Sequence, residues 1–237
     1  MKSQAPETRA TRLHRVVDEL RAQHGRPRAP PASDAFALVL WEKVGYLSPD
    51  DRRLAAFEML RDRVGLTPHA ILAAAPDVLR TIAERGGRME AAKRAQRMQD
   101  AALLVIDEFD GSLDSVLQRP FAEAKRALQR IYGIGEPGAE KILLLTRAHR
   151  VLPLDSNGAR TLVRVGYGVD HKNYSTMYRT VRDATASELA DDFDWLIDAH
   201  LLLRQHGQEV CKTSAPLCES CQLRTLCQHY ARIGERM

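Results

Sequence analysis

Apolar residues in this chain recur at helical spacing, and the alternating pattern of a strand is nearly absent. Leu13, Val16, Val17 and Leu20 fall on one face of a helix expected over residues 6–24, and Ala37, Leu40, Trp41 and Val44 repeat the i, i+3, i+4, i+7 pattern in the next segment. Such a chain is restricted to an all-α fold whose core is made of amphipathic helix faces. Start and stop signals divide it into roughly ten helices. GRPRAPPASD, residues 25–34, is a Pro-rich linker, and Ser33 or Asp34 suits the cap of the helix that follows. SPDDRR and TPHAILAA each place a proline at an early helical position, and APDVLRTIAERGG closes on Gly86 and Gly87. Further helices are expected over 90–109, 120–131, 137–148, 155–166, 174–184 and 187–206.

The 237 residues are 44% apolar and 28% charged, which suits a folded chain with a sizeable core rather than a disordered one. No apolar run approaches the ~18 residues of a membrane span. The first residues, MKSQAPETRATRLHRVV, lack the apolar centre of a signal peptide, so a cytosolic chain is expected. The net charge of +4 is unevenly spread. Residues 141–164 carry Lys141, Arg147, Arg150, Arg160 and Arg164 against Asp155, and residues 85–97 carry Arg85, Arg88, Lys93, Arg94 and Arg97 against Glu90. Residues 183–198 are acidic. Separated fields of this kind suit one face for a polyanion, and equally suit solvated helix surfaces.

Three motifs carry chemistry. IYGIGEPGAEKILLL, residues 131–145, places Gly133 and Gly135 around Ile134 just before a helix, with Pro137 at the helix start. Glycines allow a turn whose amides point outward, and the helix end adds partial positive charge, so the segment suits one phosphate or an ordinary interhelical turn. HGQEVCKTSAPLCESCQLRTLC, residues 206–227, gathers all four cysteines, Cys211, Cys218, Cys221 and Cys227, at spacings of six, two and five. Four thiolates so close together can hold an iron–sulfur cluster, with zinc as the rival and a disulfide pair as the plainest alternative. VLPLDSNGARTLVRVGYG, residues 151–168, puts Asp155 where a loop enters a helix, which is the place of a helix cap or of a carboxylate held for use.

Taken together and in this order, these motifs resemble the helix-hairpin-helix DNA glycosylases of the endonuclease III type. The cysteine spacing with the preceding His206 and Gly207 matches that family's iron–sulfur loop, the glycine segment looks like its hairpin, and PLDSNGAR looks like the segment that holds its catalytic aspartate. The resemblance implies two helical lobes with a DNA-binding cleft between them. One is a six-helix bundle with the hairpin, residues 34–149. The other is an iron–sulfur domain made of residues 1–33 and 150–237. It implies one four-iron, four-sulfur cluster of structural role on the four cysteines, and Asp155 as the catalytic carboxylate. The partner would be double-stranded DNA with a damaged base or an abasic site, approached by a monomer in the cytoplasm. Gly133, Ile134, Gly135 and Lys141 at the hairpin, and Lys212 and Arg224 in the cysteine loop, would contact the backbone.

Three positions depart from the family pattern. The hairpin lysine of its strand-cleaving members is replaced by Pro137, and the proline before the glycines by Tyr132. The glutamine-bearing segment that fills the gap left by a flipped base is replaced by VGYLSPDD, which leaves Tyr46, Leu47, Arg88 and Met89 as wedge candidates, or as packing residues at a helix end. The expected activity is therefore a glycosylase that removes a damaged or mismatched base with Asp155 directing water. The alternatives are a glycosylase with lyase activity through Lys141, a silent damage-binding protein, and a zinc-stabilised helical adaptor.

Overall fold

The computed structural model describes residues 11–45 and 48–234; Tyr46 and Leu47 lie outside them, as do residues 6–10 of the first expected helix. Among the described residues every regular element is helical. The α-helices are α1 (Arg12–His24), α2 (Ala35–Val44), α3 (Asp50–Arg63), α4 (Pro68–Ala73), α5 (Pro76–Arg85), α6 (Ala91–Phe109), α7 (Asp114–Leu117), α8 (Phe121–Gln129), α9 (Glu136–Leu145), α10 (Ser156–Val165), α11 (Tyr174–Thr185), α12 (Phe193–Glu209) and α13 (Gln228–Gly234). Short 3-10 turns occupy Ala186–Glu188, Cys218–Ser220 and Gln222–Leu226. By contact the chain divides into two units, Pro30–Val151 and the pair of segments Met1–Ala29 and Leu152–Met237.

The helix boundaries follow the capping chemistry. Asp34 accepts the Ala37 amide at 2.8 Å, Thr67 accepts that of Ala70, and Asn173 that of Thr176, each satisfying an amide that the first turn leaves open. Some boundaries differ from those expected. The first helix starts at Arg12, because the Thr11 side chain caps it. Pro49 is the residue that precedes α3 rather than a position inside it. The helix expected over 187–206 starts only at Phe193, where the Asp192 side chain takes the Asp194 amide, and a 3-10 turn precedes it. Pro137 sits second in α9, where its missing amide still costs nothing.

In the unit Pro30–Val151, α2 is the centre. All its residues except Glu42 are buried, Lys43 among them, as befits a helix that is apolar all round. Phe57, Leu60, Ile71, Leu79, Ile82, Met98, Ile142 and Leu143 belong to the same core. Arg94 of α6 is also buried, at 2% exposure. Its guanidinium donates to the carbonyls of Val44 at 2.6 Å, Ala83 at 2.8 Å and Met89 at 3.0 Å, and to that of Gly87. Val44 and Ala83 lie in the last turns of α2 and α5, so one planar cation serves carbonyls that two helix ends leave open.

In the other unit, α10 packs lengthwise on α12. Gly207 makes this possible, because a Cβ there would lie 2.5 Å from the Asn157 carbonyl oxygen. On the facing helix, a Cβ at Gly158 would meet the Leu203 Cβ at 3.4 Å. Two backbones therefore touch at the first turn of α10. Gly207→Ala is expected to cost roughly 1–3 kcal/mol, the usual range for overpacking. Urea melts of the variant and the parent check it, and an unchanged midpoint would show that the two helices are less closely held than their geometry states.

Candidate functional site

Asp155 caps α10. Its Oδ1 accepts the amides of Asn157 at 2.9 Å and Gly158 at 2.8 Å, while Oδ2 accepts Asn157 Nδ2 at 3.2 Å and faces Arg204 Nε at 3.7 Å. The approach to it is pinned as well. His200 Nδ1 donates to the Pro153 carbonyl at 2.8 Å and the Tyr174 hydroxyl to that of Leu154. One oxygen of Asp155 is thus fixed at the positive end of a helix, and the side chain keeps 31% of its surface open. Cap and held carboxylate, the two uses suggested by the sequence, describe one arrangement. Asn157 and Arg204 gave no sequence signal, since their relevance depends on where α10 and α12 meet.

The glycine hairpin divides into one demanding glycine and one undemanding one. Gly133 has φ +82°, a conformation that L side chains avoid. Gly135 has φ −82° and ψ −177°, extended backbone open to any residue. A Cβ there would meet nothing nearer than Pro137 Cδ at 4.0 Å. The Ile134 amide, expected on a phosphate, instead closes the turn on the Ile131 carbonyl at 2.9 Å, and the Ile134 side chain is buried. Lys141 pairs with Glu42 at 2.7 Å. Glu136, first in α9, pairs with Lys125 at 2.7 Å. Beneath the turn lies Lys43, whose Nζ donates to the Tyr132 carbonyl at 2.6 Å. Burial, and then the neighbouring Arg97, push the Lys43 amine down to about 8. Tyr132 is 66% exposed, and its ring carries the Arg97 guanidinium 5.0 Å from its centre.

The four cysteines are free and line one small pocket of about 20 Å³ that opens to solvent, together with Arg164 and Leu217. Burial pushes the Cys221 thiol up to about 11 and raises that of Cys218. The pocket is tied to α10. Arg160 donates to the carbonyls of Cys211 at 2.9 Å and Gly207 at 2.6 Å and to Asn157 Oδ1 at 2.9 Å. Arg164 donates to Cys211 Sγ at 3.3 Å and to the Lys212 carbonyl at 2.7 Å. His206 is fully buried with Nε2 3.5 Å from Cys221 Sγ, and burial followed by the adjacent His24 lowers it to about 4. The basic stretches of the sequence are thus only partly a solvated face: Arg94, Arg160 and Arg164 are spent on carbonyls inside the fold. Arg88, Met89, Lys212 and Arg224 are exposed.

Among the described residues, no group of three or more His, Cys, Asp or Glu is gathered tightly enough for a single metal ion, and no helix is long and apolar enough to cross a membrane.

No family model matches the chain. Endonuclease III of Sulfolobus acidocaldarius is 27% identical over 202 residues, covering 83% of each chain. A solved non-covalent complex of endonuclease III with DNA gives a TM-score of 0.74 at 18% identity, over 94% of this chain and 97% of that one. The chain is thus similar in sequence to endonuclease III over most of its length, and it has the same fold. A solved thermostable thymine-DNA glycosylase shares the fold as well, with a TM-score of 0.73 at 16% identity over 93% of this chain and 97% of that one. The endonuclease III likeness therefore spans both units, and the all-helical architecture expected from the periodicity is the one observed.

Proposed function

We propose that the protein is a base-excision-repair DNA glycosylase that removes a damaged or mismatched base from duplex DNA by hydrolysis, as a monomer. The observation that carries this reading is the Asp155 carboxylate, held on one oxygen by two amides while its side chain keeps 31% of its surface open. A base leaves its sugar with the bonding electrons and takes up a proton, so positive charge develops on the sugar ring. A fixed carboxylate stabilises that charge and accepts the proton of the water that adds to C1′. The base is reached only after it is flipped out of the stack.

The hairpin supplies a phosphate contact. Neither the Gly135 backbone nor its surroundings within the chain require a glycine. Its open space suits the close approach of an outside group, and the amides of Gly135, Glu136 and Gly138 are the donors for it. Lys212 and Arg224 are exposed phosphate contacts in the cysteine loop, and Arg88 and Met89 form an exposed wedge.

Cys211, Cys218, Cys221 and Cys227 would hold one four-iron, four-sulfur cluster. Here four free thiols line one pocket, the all-thiolate donor set that such a cluster takes. When bound, the cluster supplies a rigid frame for the exposed loop that carries Lys212 and Arg224. Anaerobically purified protein is expected to be brown and to contain about four irons per chain. One equivalent of zinc with negligible iron would refute the assignment.

Strand cleavage is expected to be weak. Pro137 offers no amine, and the Lys141 amine is engaged by Glu42. Borohydride should trap little protein on abasic DNA, and incised product should appear mainly after alkali. Efficient trapping that disappears in Lys141→Ala would make Lys141 the nucleophile instead. For the central claim, Asp155→Asn is expected to lower base release on a panel of single-lesion duplexes roughly 100-fold or more, with duplex affinity retained. Normal turnover by that variant would leave Asp155 as a cap only.

A further inference from the structure

We propose that Lys43 is a positioning residue for DNA binding: its buried ammonium holds the hairpin turn by the Tyr132 carbonyl and places a positive charge directly behind the site of the backbone phosphate. The inference rests on the DNA glycosylase reading and assigns a role that the hairpin sequence does not show.

Lys43 stands in the last turn of the core helix α2 and is 6% exposed. Its Nζ is 2.6 Å from the Tyr132 oxygen and 3.8 Å from where a Gly133 Cβ would stand. Tyr132 itself is an exposed turn residue, so water is at hand for a polar group there, and the fold has little need of a buried cation to serve it. Among the described residues no carboxylate forms an ion pair with Lys43. On its own helix it faces Glu42, which is held by Lys141 of α9 at 2.7 Å, and on α6 it faces Arg97 and Asp100. Arg97 also lies over the Tyr132 ring. Arg97 in turn pairs with Glu90 at 3.4 Å, so Lys43, Arg97 and Lys141 stand with Glu42, Asp100 and Glu90 behind the turn that leads to Gly135. Of these groups the Lys43 ammonium is the one bonded to the turn itself, and a cation in a weakly screened place attracts an anion in front of it.

A readout follows that a purely structural lysine would not give. Burial and Arg97 bring Lys43 to about 8, below its ordinary range. A phosphate in front of the turn favours the charged form, so above that pH the protein must take up a proton to bind. The affinity for an undamaged duplex, read by fluorescence anisotropy at fixed salt, is expected to be flat below pH 8 and to fall toward tenfold per pH unit above it. Lys43→Met should bind more weakly with a flat profile, with the slope of log K against log salt reduced by up to ~0.9. Lys43→Arg, which does not titrate, should retain affinity at pH 9.5. Because the lowered value marks a buried charge that disfavours folding near neutrality, Lys43→Met should melt no lower than the parent at pH 7.

The inference is overturned if Lys43→Met keeps the parental affinity and pH profile. It is also overturned if Lys43→Arg shows the same decline above pH 8 as the parent; that comparison decides the matter even where Lys43→Met fails to fold. A parent protein that binds no duplex at any pH would defeat the glycosylase reading itself. A parent whose binding is lost in Gly135→Val but unaffected by either Lys43 substitution would defeat the Lys43 role alone.

Discussion

The contact on which the unit with Asp155 and the four cysteines depends is the approach of two backbones at Gly207 and Asn157. It brings the first turn of α10 against α12, and the rest of that region is organised from there. Arg204 reaches Asp155 because α12 lies so close, and Arg160 reaches from α10 to the carbonyls of Gly207 and Cys211. The carboxylate and the cysteine pocket are thus supported by one helix pair, with α10 capped by Asp155 at its start and carrying Arg160 and Arg164 further along. A side chain at Gly207 would separate the helices and disturb both ends at once. The glycine after the histidine in the HG pair is therefore a packing requirement, which explains why it belongs with the cysteines in the motif.

In the unit Pro30–Val151, two buried cations do comparable work at the end of α2. Lys43 and Arg94 meet the carbonyls of Tyr132 and Val44, and Arg94 also gathers the loop from Ala83 to Met89. A helix C-terminus presents open carbonyls and partial negative charge, so it is the place in a core where a cation is least costly. The arrangement lets an otherwise apolar helix fix both the hairpin and the exposed segment with Arg88 and Met89. Arg97 extends it by stacking on Tyr132 while its guanidinium pairs with Glu90 at 3.4 Å.

Much of this was legible in the sequence, and the parts that were not share a cause. Caps such as Asp34, Thr67 and Asp155 act on amides two or three residues away, so their geometry is local and can be read from spacing. The cysteines fall within one short loop, and their shared pocket is likewise close to a local property. Arg94, by contrast, sits in a run that reads as a solvated basic face, and only the meeting of α2, α5 and α6 shows it to be interior. Lys43 and Glu42 did leave a trace. AFALVLWEKV offers no polar face, so its two charged residues had to be buried or paired. Helix α7, with four residues between turns, carries too little periodicity to be recognised. Nor does spacing reveal that Ile134 would spend its amide on Ile131, since either glycine alone could have shaped the turn.

The departures from the endonuclease III pattern separate what the hairpin needs as structure from what it offers as chemistry. Gly133 remains because its φ requires it. Pro137 replaces an amine without disturbing α9, because the second helical position has no hydrogen bond to lose. Tyr132 replaces a proline, and its ring finds Arg97 while its carbonyl finds Lys43. In each case the turn is preserved and the exposed group is changed. Binding and strand cleavage therefore need not have been lost together. In the proposed reading the hairpin holds DNA and the reaction is left to a carboxylate, and the two places are built accordingly: Lys43 is bonded to the turn and Pro137 offers no amine, while Asp155 is fixed by two amides, two side chains and a pinned approach.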